Sequence, residues 1–260
     1  MDEFVIRMSA FLLILVRLSG FFITVPIFSY RTIPNTHKIG LAVFLSFIMY
    51  YTIEIPQTLQ FDEFYILLII KELLVGILIG LTAFILLSAI QIAGGFIDFQ
   101  MGFAIANVVD PQTGAQSPLM GQFLYIISLL FLLSVNGHHL LIDGIFYSYQ
   151  AVPIDQLWIP FGSEGMLNHL IQTFNSMFII AFQMSLPLVG SMFLVDVALG
   201  IVARTVPQLN IFVVGIPLKI IVSLIMLIVM MSIFIMLVGN LFEQAQYAMR
   251  ELMHLIGGGA

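Results

Sequence analysis

Residues 196–219 read DVALGIVARTVPQLNIFVVGIPLK, a polar, proline-bearing stretch set between two long apolar runs. It carries Asp196, Arg204, Gln208 and Asn210 together with Pro207 and Pro217. Both prolines are read here as helix breakers, because each lacks an N–H and crowds the preceding turn. Bare lipid tolerates broken backbone poorly, since freed carbonyls and amides find no partner there. Polar groups at membrane depth persist where protein or a watery cavity surrounds them. The stretch therefore predicts part of a transmembrane conduit or assembly and argues against a simple anchor.

The rest of the chain agrees with a membrane setting. Of 260 residues, 61% are hydrophobic and only 8% are charged, against about 25% charged in a soluble domain. Too little surface charge exists to dissolve such a chain, so lipid or partner subunits must cover it. One integral-membrane domain is expected. A net charge of −6 argues against nucleic acid, which needs a basic face. With no cysteine, disulfides, thiolate catalysis and cysteine–metal sites are excluded. The start, Met1-Asp2-Glu3, lacks a basic n-region, and Arg17 interrupts the run that follows. This run is read as a retained helix and not as a removed signal.

Apolar runs cover roughly 4–28, 39–55, 64–97, 119–142, 166–195 and 211–242. A spanning helix needs about 20 residues, and most runs fit that length. Run 64–97 does not: as a helix it would reach about 51 Å against a hydrocarbon core of about 30 Å. Tilt, a bend at Gly94-Gly95, or extension beyond the membrane plane is expected. Among the connecting segments, 31–38 (Arg31, Lys38) and 196–219 (Arg204, Lys219) are basic, whereas 54–63 and 143–164 are acidic. Basic loops prefer the cytoplasm. This puts the N-terminus outside and, by alternation, loop 98–118 inside. The tail from Asn240 to Ile256 is amphipathic, with Leu241, Ala245, Met249, Leu252 and Ile256 at helical spacing. It is expected to lie on a membrane surface or dock on a partner, and to end at Gly257-Gly258-Gly259.

Several constellations carry possible chemistry. Ser88, Gln91, Gly95, Asp98 and Gly102 alternate spacings of three and four, so a helix would gather them into one polar, small-residue stripe. Tight helix packing and pore or cavity lining both account for it. Gly76 and Gly80 form a GxxxG packing pair on another face. Residues 107–118, NVVDPQTGAQSP, have turn chemistry throughout. They suit an ordinary surface loop or an element dipping into a channel mouth. Asn136-Gly137-His138-His139 interrupts the fourth run, with Asp143 four residues on. Helix-end contacts explain this group, and a zinc or proton-transfer site is the sharper alternative. Arg17 and Lys71-Glu72 are intramembrane charges, expected to snorkel or to pair with carboxylates on other helices. Met226, Met230, Met231 and Met236 enrich the last run, as core or as a deformable seal. No phosphate loop, Ser-His-Asp set or HExxH is present, so the chain reads as a non-enzyme without a cofactor.

Taken together, FIDFQMGFAIANVVDP (96–111), FLLSVNGHH (131–139), LGIVARTVPQLNIFVVGIPLK (199–219) and SYRTIPNTHKIGLA (29–42) resemble the FliR/SctT export-gate family of type III secretion systems. The likeness is collinear over nearly the whole chain. A family motif, PQ-x-N/S-x-F-x-x-G-x-P, stands here as Pro207, Gln208, Asn210, Phe212, Gly215 and Pro217. Overall likeness favours the flagellar branch over the injectisome branch.

This resemblance implies an all-α integral membrane protein of about six long, partly broken helices arranged as hairpins. It implies a FliP-like part (1–195) followed by a FliQ-like hairpin and amphipathic tail (196–260). The implied role is non-enzymatic: to form and plug, with FliP and FliQ, the channel through which unfolded flagellar proteins cross the inner membrane. FlhB and FlhA would dock on the cytoplasmic side, and membrane lipid would be the remaining neighbour. The family plug corresponds to about Ala106–Gln122, hence Asn107, Asp110, Pro111, Gln112, Thr113, Gly114, Gln116 and Pro118. The 112–116 section departs from the family pattern. Arg204 and the 207–217 motif would form a bend that contacts neighbouring subunits. The competing reading is a small-solute transporter or channel, which discontinuous helices also suit, although two related halves are not found. A third, an intramembrane hydrolase, would use His138, His139 and Asp143.

Overall fold

A computed structural model describes residues 2–29, 33–53, 56, 63–103, 118–208 and 210–258, without side chains for 2–6 and 211–212. Among these residues the regular structure is entirely helical. Among the described residues seven helices follow one another: α1 (Asp2–Thr24), α2 (Asn35–Thr52), α3 (Tyr65–Met101), α4 (Leu119–Ser134), α5 (Gly137–Ala151), α6 (Glu164–Thr205) and α7 (Ile211–Gly257). Four are long and apolar enough to cross a membrane, or five crossings result if α4 and α5 form one bent span. The second run is the one that fails: α2 begins with Asn35, Thr36, His37 and Lys38 before its apolar part.

The fourth run breaks where Asn136-Gly137 interrupts it. Asn136 adopts a left-handed backbone with φ +57°, which a short polar side chain tolerates. Three helices exceed their apolar runs. At 1.5 Å per residue, α3 (37 residues), α6 (42) and α7 (47) reach about 55, 63 and 70 Å, well over the ~30 Å of hydrocarbon. Pro187 in α6 and Pro217 in α7 stay inside their helices. Pro217 is thus no terminator; it sits in the second turn of α7 and only leaves the Val213 carbonyl without its helical donor.

Contacts divide the chain into two compact units, and α3, α6 and α7 each pass from one to the other. Unit 1 comprises 1–87, 136–175 and 243–260. Its centre is the α1–α3 pair. Leu13, Ile14, Arg17, Leu18 and Phe21 are fully buried along one stripe of α1. The GxxxG pair permits the approach: a Cβ at Gly76 would lie 2.1 Å from the Arg17 carbonyl oxygen, and one at Gly80 2.0 Å from Thr24 Oγ1. The amphipathic tail belongs to this unit as the last turns of α7. It buries Ala245, Met249, Leu252 and Ile256 and leaves Glu243, Arg250 and Glu251 exposed. Its apolar side packs on the chain's own helices, with Met249 against Gly144 and Leu255 against Gly165. The expected membrane-surface or partner docking of that face is replaced by intramolecular burial. Gly257 ends the helix, followed by Gly258 at φ +76°.

Unit 2 comprises 88–135 and 176–242. Here Gly94 serves close packing, and α3 runs unbroken through Gly94-Gly95. A Cβ at Gly94 would meet the Gly121 Cα at 2.0 Å. Phe131 stacks on Phe242 at 6.4 Å. Met230 and Met231 line a small apolar groove with Met184 and Pro187, while Met236 is exposed.

Candidate functional site

Two polar constellations stand out, one in each unit. In unit 2 the centre is Asp98, three residues before the end of α3. The helix closes with a Schellman motif: Gly102 (φ +90°) donates its N–H to the Phe99 carbonyl at 3.2 Å, and Phe103 donates to the Asp98 carbonyl at 3.0 Å. The Asp98 side chain turns to the next helix. Its buried carboxylate accepts the Met120 N–H at 3.0 and 3.1 Å. Pro118, the N-cap residue of α4, makes no side-chain cap of its own. Asp98 therefore supplies the cap from another helix, satisfying an otherwise orphan donor and placing a negative charge at the positive end of α4. One residue thus closes the helix before segment 104–117 and caps the helix after it.

The other stripe residues divide around this point. Gly95 lies in van der Waals reach of Pro118, whose Cγ would be 3.5 Å from an added Cβ. Ser88 donates to the Met177 sulfur at 3.1 Å. Gln91 stays exposed. Of the loop residues singled out in the sequence, Asn107, Asp110, Pro111, Gln112, Thr113, Gly114 and Gln116 lie outside the described residues; Pro118 lies within them.

The polar stretch 196–219 forms the α6–α7 hairpin. Arg204 sits in the last turn of α6. Pro207 and Gln208 occupy the turn, and the Asn210 carbonyl accepts the Val213 and Val214 N–H groups at the start of α7. Arg204, Pro207, Gln208, Asn210 and Pro217 are exposed, and Gly215 is buried. The Phe212 side chain lies outside the described ones. Asp196 and Lys219 close the hairpin as an ion pair. Asp196 also accepts a hydrogen bond from Gln100 Nε2 at 2.8 Å. That contact ties the end of α3 to the hairpin. Gln100 went unnoticed in the sequence, where an amide next to a glycine turn has no distinguishing spacing.

In unit 1 the intramembrane charges form a closed cluster. Arg17 and Glu72 are fully buried and Lys71 nearly so. Arg17 forks onto Glu72, from Nε at 2.5 Å and Nη2 at 2.8 Å. It also donates to Ser148 Oγ (3.0 Å) and the Val152 carbonyl (2.9 Å), with its guanidinium 3.8 Å from the Tyr149 ring centroid. Lys71 donates to Glu72, 2.5 Å away, and to the Pro153 and Ile154 carbonyls at 3.0 Å. The cations thus meet the C-terminal end of α5, where the helix dipole is negative. For Arg17 the arrangement found is the expected pairing with a carboxylate on another helix, whereas Lys71 pairs with its own neighbour Glu72. His138 and His139 face each other at 4.1 Å. Among the described residues, no three side chains of His, Cys, Asp or Glu gather as a metal would need.

Comparison with known proteins bears on both constellations. Residues 8–245 match the model of a family described as bacterial export proteins, family 1.

The chain belongs to that family.

The chain is similar to the flagellar biosynthetic protein FliR of Bacillus subtilis (strain 168), 57% identical over 257 residues and covering 99% of each chain. It is 30% identical over 230 residues to the protein of that name in Escherichia coli (strain K12), covering 88% of this chain and 87% of the relative. The Yop proteins translocation protein T of Yersinia pestis is 27% identical over 219 residues, 84% of each. The matched residues 8–245 include Arg17, Lys71 and Glu72 in unit 1 and Asp98 in unit 2, so both polar constellations fall within the portion shared with the family.

Proposed function

We propose that this chain is a non-enzymatic subunit of the type III export gate of the bacterial flagellum, set in the inner membrane at the basal body. In this reading it joins FliP and FliQ around a central channel, with FlhB and FlhA docking from the cytoplasm. Unfolded flagellar proteins pass through, driven by energy supplied elsewhere. Residues 1–195 form the FliP-like part and 196–260 the FliQ-like hairpin and tail. The observation that carries the reading is the bareness of α6 and α7. Only 11% and 6% of their most apolar stretches is buried by the chain itself, and their bend presents Arg204, Gln208 and Asn210 outward. Lipid can cover the apolar flanks, whereas a proline-bearing polar bend held at membrane depth would need protein or a watery cavity around it.

The bend, Arg204 with Pro207, Gln208, Asn210, Phe212, Gly215 and Pro217, is assigned to contact with neighbouring subunits. Pull-down of the full-length chain followed by mass spectrometry of the intact complex tests the whole reading. FliP and FliQ should be recovered with it. Recovery of a stable solitary chain that binds a small solute would instead favour a transporter. Replacing Arg204 or Gln208 should weaken that co-purification, and an unchanged complex would count against the bend assignment.

Segment 106–122 is the plug, from Asn107 through Asp110, Pro111, Gln112, Thr113, Gly114 and Gln116 to Pro118. The stripe Ser88, Gln91, Gly95, Asp98, Gly102 supports its root. Deleting 110–116 is expected to make cells that express the gate leak small solutes. Conductance that stays at the closed level would refute the plug.

A further inference from the structure

Unit 1 holds a groove of about 960 Å³ that the export reading leaves unused. It lies among the end of α2 (Thr52, Ile53), one side of α5 and the last turns of α7. Its wall is mixed. Leu140, Phe146, Met249 and Met253 are apolar, whereas Asp143, Tyr147, Gln150, Gln246, Arg250 and His254 are polar. The Tyr147 hydroxyl meets His254 Nε2 at 3.3 Å. Neither Asp143 nor Arg250 has an ion-pair or hydrogen-bond partner among the described residues. One free cation and one free carboxylate thus share a groove whose size suits an organic ligand.

We propose that this groove holds the headgroup of a phospholipid that bears both a phosphate and a primary ammonium. The Arg250 guanidinium matches a phosphate, which it can grip with two parallel hydrogen bonds. Asp143 matches the ammonium, and the Gln150 and Gln246 amides can donate to remaining phosphate oxygens. A ligand of single negative charge would leave Asp143 opposed by nothing but its own kind of charge. A trimethylated ammonium would offer Asp143 no donor.

Two further observations point to lipid as the source of the headgroup. Exposed tryptophan and tyrosine, the side chains that gather at membrane–water interfaces, occur here on unit 1. Trp158, Tyr51 and Tyr247 are 86%, 70% and 71% exposed, and none of the large exposed apolar side chains described in unit 2 is Trp or Tyr. In addition, the helix that ends at the groove presents an open apolar stripe: Val43, Phe44, Phe47, Ile48 and Tyr51 on α2. These recur at helical spacing on one face, which offers acyl chains a track leading from the headgroup. A folded protein partner would not need both features.

The test uses the full-length chain in the assembly with which it co-purifies, stripped of lipid in detergent. Native mass spectrometry then follows titration with phosphatidylethanolamine, phosphatidylglycerol or phosphatidylcholine of matched acyl chains. The wild type should retain phosphatidylethanolamine about tenfold better than the other two, the scale of one charge-assisted contact. Arg250→Gln should weaken retention of all three lipids, and Arg250→Lys should recover part of it. Asp143→Asn should abolish only the preference for phosphatidylethanolamine. Both side chains are exposed, so these variants should assemble normally. Equal retention of the three lipids by the wild type would overturn the proposal. So would indifference of phosphatidylethanolamine retention to Arg250→Gln and Asp143→Asn. Whether FliP and FliQ co-purify is read separately, so failure here leaves the export reading standing.

Discussion

Glu72→Ala should be the most damaging single substitution in the chain. Glu72 is hydrogen-bonded to two buried cations, Arg17 and Lys71. Removing it leaves two buried positive charges facing each other without their shared hydrogen-bonded anion, and among the described carboxylates only Asp155 still acts on Lys71. Breaking a buried pair from one side typically costs about 3–5 kcal/mol, because the remaining charge keeps its desolvation penalty. Arg17→Met and Lys71→Met should be milder, since each leaves a neutral pair behind: Lys71 with Glu72, or Arg17 with Glu72. The triple replacement by Met, Met and Leu should be more stable than Glu72→Ala, because no unpaired charge remains. Thermal midpoints and folded yields in detergent give the ranking. A Glu72→Ala protein as stable as wild type, or a triple variant below it, would contradict this account of the cluster.

Asp98→Ala should have the next largest consequence, and it should appear in two readouts. The buried Met120 N–H would lose a charged acceptor, a loss of about 1–3 kcal/mol, and α4 would lose the anion at its positive end. Asp98→Asn keeps an oxygen in place and should cost under about 1 kcal/mol. Hydrogen exchange at Met120 reports the local effect and should be faster in the alanine variant alone. If segment 106–122 is the plug, Asp98→Ala should also raise resting leakage of small solutes through the assembled gate, while subunit recovery stays normal. Faster exchange with unchanged leakage would separate the structural role, which would stand, from the plug, which would fall.

Much of this arrangement could be read from residues alone, and the gaps have physical causes. The helices announce themselves because apolar runs near 20 residues have few other fates. Asn136-Gly137 marked a true break, and Gly76 with Gly80 marked a true close approach. Helix lengths were underread. Residues 196–205 and 243–257 dilute the apolar signal yet continue their helices; for the second of these an amphipathic face is enough once something packs on it. For 243–257 that something is α5 and the start of α6, which no spacing within the tail could reveal. By residue type Pro217 reads as a helix breaker, yet proline is tolerated where neighbouring groups can absorb one lost hydrogen bond. In the Asp98 site the stripe was visible, but its use as a remote cap was not, because the acceptor and Met120 are 22 residues apart. The Arg17 cluster is harder still: its partners include the carbonyls of Val152, Pro153 and Ile154, and a backbone carbonyl has no signature in a sequence.

The bareness of α6 and α7 has a consequence for how cells must handle this protein. A copy leaving the ribosome ahead of its neighbours would insert with two rods of about 60–70 Å, greasy along most of their length and joined by an uncovered charged turn. Among the described residues, the chain's own helices bury one side of α6 and the last turns of α7 and leave most of their apolar stretches uncovered. Its lifetime would then be set by the supply of companions, with surplus copies cleared by membrane proteases. Synthesis rates of the several chains would have to be matched as closely as their surfaces.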